Sequence, residues 1–406
     1  MTLKERTLAN LEKRRERVLN GGINSIPTPF PRFENDFIGV EQSTYYAITA
    51  STKGSKSQFA SFLFMYKTLL YAYWGKEDIK VTIFYFPLEE TPERVMQRFI
   101  SYLLYDLTKG EVRISPRDLR SSINTKPVSE EVLDLLRSDE FSDILDYFES
   151  NIIFSSEANP TGIYKFCRSY AEEHGTSYYK DIQVKDDFGV PKTLKVFDSY
   201  EMENPNEYRI IIIDTINLID TERGMTLKES MDKLSEYLAK YLRNRYYFSP
   251  VVIQQQAFAG EGIDAFKIGK VEPSIANLGD SKYISRDANI VLGLFSPYKF
   301  KIDKYPIHEG YDIKKFRDNI RFLFVLTNRD GEMGGMLPLY FDGATCTFAE
   351  LPKPNDSANM QQVYQLLDKI RNVNVLMFTF NKYFSNRLAG KKIKNYLCSL
   401  FRISRS

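Results

Sequence analysis

Ile210-Ile211-Ile212-Ile213 is an unbroken β-branched run that ends in Asp214. A strand with one wet face alternates apolar and polar residues. An unbroken apolar run needs cover on both faces, as in a parallel sheet with helices on each side. The pattern recurs at residues 45–49, 81–86, 152–154, 251–253, 290–292 and 322–326, with helical spacing between several of them, as around residues 225–243. The expectation is an α/β fold with a mostly parallel central sheet flanked by helices.

Residues 45–49 run directly into Ala50-Ser51-Thr52-Lys53-Gly54-Ser55-Lys56-Ser57. A strand, a small-residue turn and a helix form the layout that surrounds phosphates with backbone N–H groups, with Lys56 reaching the outer ones and the Ser57 hydroxyl ligating Mg²⁺. Asp214, ending another buried strand, would hold the same ion. The strict pattern G-x-x-x-x-G-K-S/T is not met, because Ala50 and Ser55 occupy its glycine positions and the glycine falls at Gly54. Glycine tolerates positive φ and close approach to a pyrophosphate, so Ser55 either takes an ordinary φ or carries strain. Two readings of the loop stand side by side: an ATP and Mg²⁺ site, or a plain turn into a helix.

The chain of 406 residues can bury a sizeable core, and its 55 Lys and Arg nearly balance 53 Asp and Glu. A nucleic-acid partner would therefore have to be met by local basic surface. Cys167, Cys346 and Cys398 lie far apart, and His174 and His308 are the sole histidines, which argues against a disulfide framework and a zinc site. Met1-Thr2-Leu3-Lys4-Glu5-Arg6 lacks a signal-peptide core, and Lys67 interrupts the most apolar helical stretch, residues 59–74. A soluble cytoplasmic protein without a membrane partner is expected.

Residues 1–21 read as a charged helix closed by Gly21, and residues 22–352 as the core. A surface hairpin is expected at about residues 178–207, with its tip at Asp186-Asp187-Phe188-Gly189. Residues 353–406 form an extension rich in Lys and Arg, including Arg387, Lys391, Lys392, Lys394, Arg402 and Arg405.

Taken in order, these segments resemble the motor domain of DnaB-like replicative helicases, a branch of the RecA-type P-loop ATPases, over about residues 22–352. Ile26-Pro27-Thr28-Pro29-Phe30 is similar to the family's turn before the first core strand, with Pro29 where glycine is usual. Phe86-Pro87-Leu88-Glu89-Glu90 resembles its S-L-E segment, which implies Glu89 as the catalytic base, with Glu90 the nearest competitor. Strand-end carboxylates can also serve merely to complement a helix dipole. Gln254-Gln255-Gln256 matches the γ-phosphate sensor, Gln256 by register, with one residue of ambiguity.

The segment Ala276-Asn277-Leu278-Gly279-Asp280-Ser281-Lys282-Tyr283-Ile284 resembles the loop that contacts DNA, which implies Lys267, Lys270, Asp280, Ser281 and Lys282 as DNA-binding residues; Gly279 stands where a basic residue is common. Leu326-Thr327-Asn328-Arg329-Asp330-Gly331 looks like the closing motif, with Arg329 as an arginine finger acting on an adjacent subunit and Thr327 in place of a second cation.

The resemblance implies a RecA-like core with an N-terminal linker helix, a hairpin insertion and a basic C-terminal extension. It further implies an ATP- and Mg²⁺-dependent replicative DNA helicase that forms a ring, as a hexamer, on single-stranded DNA, with replication or loader proteins as partners. Only about twenty residues precede the match, so primase coupling is not implied, and a bacteriophage protein acting in its host's cytoplasm suits the compact design. The alternatives are a RecA-type recombinase or regulatory DNA-stimulated ATPase, and a catalytically inactive nucleotide-binding structural subunit.

Overall fold

The computed structural model describes residues 3–75, 78–121, 127–185, 188, 190–257, 271–279, 281–306 and 310–372. Among them nine strands join in one sheet: β1 Tyr46–Ala50, β2 Lys80–Pro87, β3 Ile152–Phe154, β4 Glu207–Asp214, β5 Ser249–Gln255, β6 Ile290–Phe295, β7 Ile320–Asn328, β8 Met336–Asp342 and β9 Thr347–Glu350. Their order is β9-β8-β7-β6-β1-β5-β4-β2-β3. The strands from β6 to β3 are parallel, while β7, β8 and β9 make the other edge antiparallel. Every apolar run noted in the sequence lies in this sheet, and β4 is buried at each position. β9 has no counterpart among the expected strands: it is short, and only Phe348 in it is buried.

Alternate residues of a strand face opposite sides of a sheet. On one side Ile48, Tyr85, Ile212 and Ile253 pack against the helical run that follows β1, formed by Lys56–Ala60, a π-helical stretch Ser61–Tyr66 and Lys67–Trp74. On the other side Ala47, Phe86, Ile213 and Val252 pack against the helices Pro160–Glu173 and Leu227–Glu236. A third cluster joins Phe316 and Phe322 to Met360 and Leu367 of the helix Ser357–Asn372. No described helix is long and apolar enough to cross a membrane.

The hairpin insertion is an antiparallel ribbon of Gly175–Lys185 and Pro191–Met202; Asp186, Asp187 and Gly189 of its expected tip lie outside the described residues. Where the chain returns to the sheet, buried Arg209 donates to Glu207 at 2.6 Å, to the Tyr200 hydroxyl at 2.8 Å and to the His174 carbonyl at 2.9 Å. Glu207 also accepts from Thr82 and Tyr170 and pairs with Lys80. Burial alone would raise the Glu207 carboxyl, but Thr82, Arg209 and Lys80 hold it down to about 2. Such a fully partnered buried pair fixes the ribbon's base to the sheet, and losing either member would strand a charge.

The N-terminal helix Leu3–Leu19 is tied back by an Arg14–Glu41 ion pair at 3.2 Å and an Arg17–Asn206 hydrogen bond at 2.8 Å. Leu8, Leu11, Val18 and Leu19 on it are exposed. Residues 373–406, most of the basic extension, lie outside the described residues.

Candidate active site

β1 carries Ala50 to the C-terminal edge of the parallel strands, and the chain turns there through residues 51–55 into the helix Lys56–Ala60. A Cβ at Gly54 would lie 2.6 Å from the Ala50 Cβ and 2.8 Å from the Ser51 carbonyl oxygen. Alanine at the first pattern position and glycine at 54 therefore compensate each other. Ser55 takes φ +67°, so of the two expectations for it the strained one holds, at about 1–2 kcal/mol for an L-residue. Its hydroxyl accepts from Arg321 Nη2 at 3.0 Å and from Nε at 3.3 Å. Lys56 Nζ lies across the loop, donating to the carbonyls of Ser51 at 3.2 Å and Ala50 at 3.4 Å.

Asp214 ends β4, the strand beyond β5. The Ser57 hydroxyl donates to its Oδ1 at 2.7 Å and the Tyr85 hydroxyl to its Oδ2 at 3.0 Å. Burial raises the Asp214 carboxyl above its ordinary range, against the pull of those two hydrogen bonds. These oxygens beside a lysine suit a Mg²⁺ that arrives with phosphates and keeps several waters. Among the described residues no group of three or more His, Cys, Asp or Glu could cage a metal by itself.

Leu88 donates its N–H to the Asp214 carbonyl at 2.9 Å, so the next residue, Glu89, emerges beside the metal ligands. Glu89 is exposed, and its carboxylate has no partner among the described residues. Glu90 differs: Arg98 grips both of its oxygens at 2.5 Å. Of the two competitors, only Glu89 is at liberty to meet a water.

The three glutamines divide by strand alternation. Gln255 falls on the side of Val251 and Ile253, where the loop's helix packs, and its amide donates to Thr52 Oγ1 at 2.6 Å. Gln256, singled out by register, is buried on the opposite side and donates to Thr49 Oγ1 at 3.0 Å and to the Ser274 carbonyl at 3.3 Å. Gln254 reaches the Ser281 carbonyl at 2.8 Å. Gln255 is thus the glutamine that touches the phosphate loop.

Lys267, Lys270 and Asp280 lie outside the described residues. Ser281 is fully buried, with its hydroxyl donated to Asp232 at 2.5 Å. It fastens its segment internally, which leaves no hydroxyl for a phosphate, whereas Lys282 and Tyr283 beside it are exposed.

Arg329 is exposed at the far end of β7, where its N–H meets the Asn289 carbonyl at 3.0 Å and its guanidinium meets the Arg286 carbonyl. Arg321 marks the phosphate-loop end of the same strand. With nine residues in β7 and ~3.4 Å per residue, roughly 30 Å separates the two ends. Arg329 cannot serve this chain's own loop.

Sequence reasoning missed Tyr85, Gln255 and Arg321. Period-two alternation would have placed Tyr85 and Gln255 on the loop's side of the sheet. Arg321 gives no local signal, since its partner Ser55 is far away in the chain.

No family model matches the sequence, and no curated protein matches it. Among solved structures the chain is similar to a DnaB-like replicative helicase described with its primase interactions, at a TM-score of 0.57 and 15% identity over 87% of this chain and 67% of that one. It is also similar to a phage ATPase domain solved on its own, at a TM-score of 0.55 and 14% identity over 86% of this chain and 99% of that one. RadB recombinase overlaps at a TM-score of 0.40 and 12% identity, covering 81% of this chain and 100% of that one, too slight a likeness to argue from. The path of sheet and flanking helices gives this chain the RecA-like fold of the DnaB-like helicase ATPase domain.

Proposed function

We propose that the chain is an ATP-hydrolysing motor that assembles into a ring of identical copies and moves along single-stranded DNA as a replicative helicase. The observation that carries this reading is the convergence of Lys56, Ser57 and Asp214 at the C-terminal edge of the parallel strands, with the Ser57–Asp214 contact at 2.7 Å. Lys56 would exchange the carbonyls of Ala50 and Ser51 for the outer phosphates. Ser57 and Asp214 are the residues that would hold Mg²⁺, which supplies charge neutralisation between the outer phosphates when bound. Glu89 would orient the attacking water and take its proton. Gln255 would report the state of the loop through Thr52.

The exposed Leu8, Leu11, Val18 and Leu19 of the N-terminal helix support docking of that helix on a second copy. Lys282, held out by the buried Ser281, supports a backbone contact to DNA.

The test is ATP hydrolysis with and without single-stranded DNA, on material sized by light scattering, beside the Lys56→Ala variant. DNA-stimulated turnover that Lys56→Ala abolishes is expected. Turnover that survives the substitution would remove the loop from the reaction, and activity confined to a monomer would remove the ring.

A further inference from the structure

Ser55 holds a left-handed turn at the position where the phosphate-loop pattern has glycine, and it does so beside a side chain that no part of that pattern supplies. Arg321 is buried, with 1% of its surface exposed. Its Nη1 donates to the carbonyls of Asp318 and Ile320, each at 2.8 Å, its Nη2 lies 2.9 Å from the Asp318 carboxylate, and its plane sits 4.3 Å from the Phe341 ring centroid. The remaining donor capacity converges on the Ser55 hydroxyl, from Nη2 and Nε. A guanidinium fixed at this many points cannot follow a moving serine. It imposes a position on it.

We propose that Arg321 is a positioning residue for the phosphate loop: its buried guanidinium holds the Ser55 hydroxyl and so maintains the left-handed turn that glycine would adopt unaided. The proposal rests on the nucleotide reading of this loop. Without the hold, an L-residue disfavours that turn by a factor of roughly 5–30, and the N–H groups that should converge on the phosphates would spread over other conformations. The exchange of glycine for alanine at position 50 is answered locally by Gly54; the exchange at position 55 is answered from across the sheet.

Two measurements on the full chain test this: affinity for a fluorescent ATP analogue with Mg²⁺, and the urea denaturation midpoint without nucleotide. Arg321→Met should weaken binding about tenfold, equivalent to ~1.4 kcal/mol, and that loss should shrink to under about threefold when introduced into Ser55→Gly, because glycine needs no hold. Ser55→Ala, which leaves the other Arg321 contacts in place, should bind about tenfold more weakly than Ser55→Gly, and it keeps the test decisive if Arg321→Met does not fold. Equal losses for Arg321→Met in both backgrounds, or equal affinities of Ser55→Ala and Ser55→Gly, overturn the proposal. No binding by the unsubstituted chain would overturn the nucleotide reading instead. The denaturation midpoints, expected to follow the same order, would then decide the role of Arg321 alone.

Discussion

Arg329 offers the sharpest test of catalysis between copies. Truncating it to alanine removes an exposed side chain whose one described side-chain hydrogen bond goes to the Arg286 carbonyl, so the fold should survive and circular dichroism should match that of the unsubstituted protein. Because β7 keeps it roughly 30 Å from its own phosphate loop, any effect on hydrolysis has to act on another chain's nucleotide. An arginine in that role is worth about 10³–10⁵ in turnover, and Arg329→Ala should fall by an amount in that range while still binding ATP. Glu89→Ala should be similarly inactive for the complementary reason. In a random equal mixture, half of the sites keep Glu89 and half of those face a neighbour that keeps Arg329, so about one site in four is complete. Steady-state ATPase of the mixture should therefore approach a quarter of the unsubstituted rate, against near zero for either variant alone. A mixture no faster than the mean of its two components, after exchange of subunits has been verified, would refute the reasoning.

Lys282→Ala should weaken single-stranded DNA binding and lower the slope of log affinity against log salt by about 0.7, the share of one phosphate contact; an unchanged slope takes this residue out of the DNA path. Gln255→Ala should abolish the stimulation of hydrolysis by DNA, whereas Gln256→Ala, which leaves the buried Thr49 hydroxyl without its donor, should chiefly lower the melting temperature. The opposite assignment of effects would restore Gln256 as the sensor. Glu207, held down to about 2, contributes stability that is complete above its unfolded value near 4.5 and is lost as pH falls from there through about 2. That window corresponds to roughly 3 kcal/mol. Urea denaturation should show Glu207→Gln trailing the unsubstituted protein at pH 7 by much more than at pH 2.5, and an equal gap at both pH values would show that the carboxylate's charge is not what stabilises this corner.

What could be read from the residues was whatever burial imposes locally. The isoleucines of β4 need cover on both faces, and that need alone predicts their place in a parallel sheet. Lys56, Ser57 and Asp214 follow because a strand–turn–helix has few ways to be built. The antiparallel edge was not legible: Phe322 to Leu326 looks the same whichever way its neighbour runs, and Thr347–Glu350 buries too little to leave a pattern. Choosing Gln256 over Gln255 came from reading register without alternation, although Val251 and Ile253 already point to the side on which Gln255 lies. Ser281 was taken for a DNA contact because its neighbours are polar; only the position of Asp232, on a helix much earlier in the chain, turns it inward.

β7 is anchored at one end to its own chain's loop through Arg321 and Ser55 and presents Arg329 at the other. A contact in which that far end reaches into the next copy joins two unlike surfaces, so copies can only add head-to-tail. Such additions close on themselves or wind onward as a helix according to the rotation between successive copies. The choice between a closed ring and an open filament is then a matter of angle at the seam around Arg329, and small changes in the residues flanking it are enough to convert one assembly into the other.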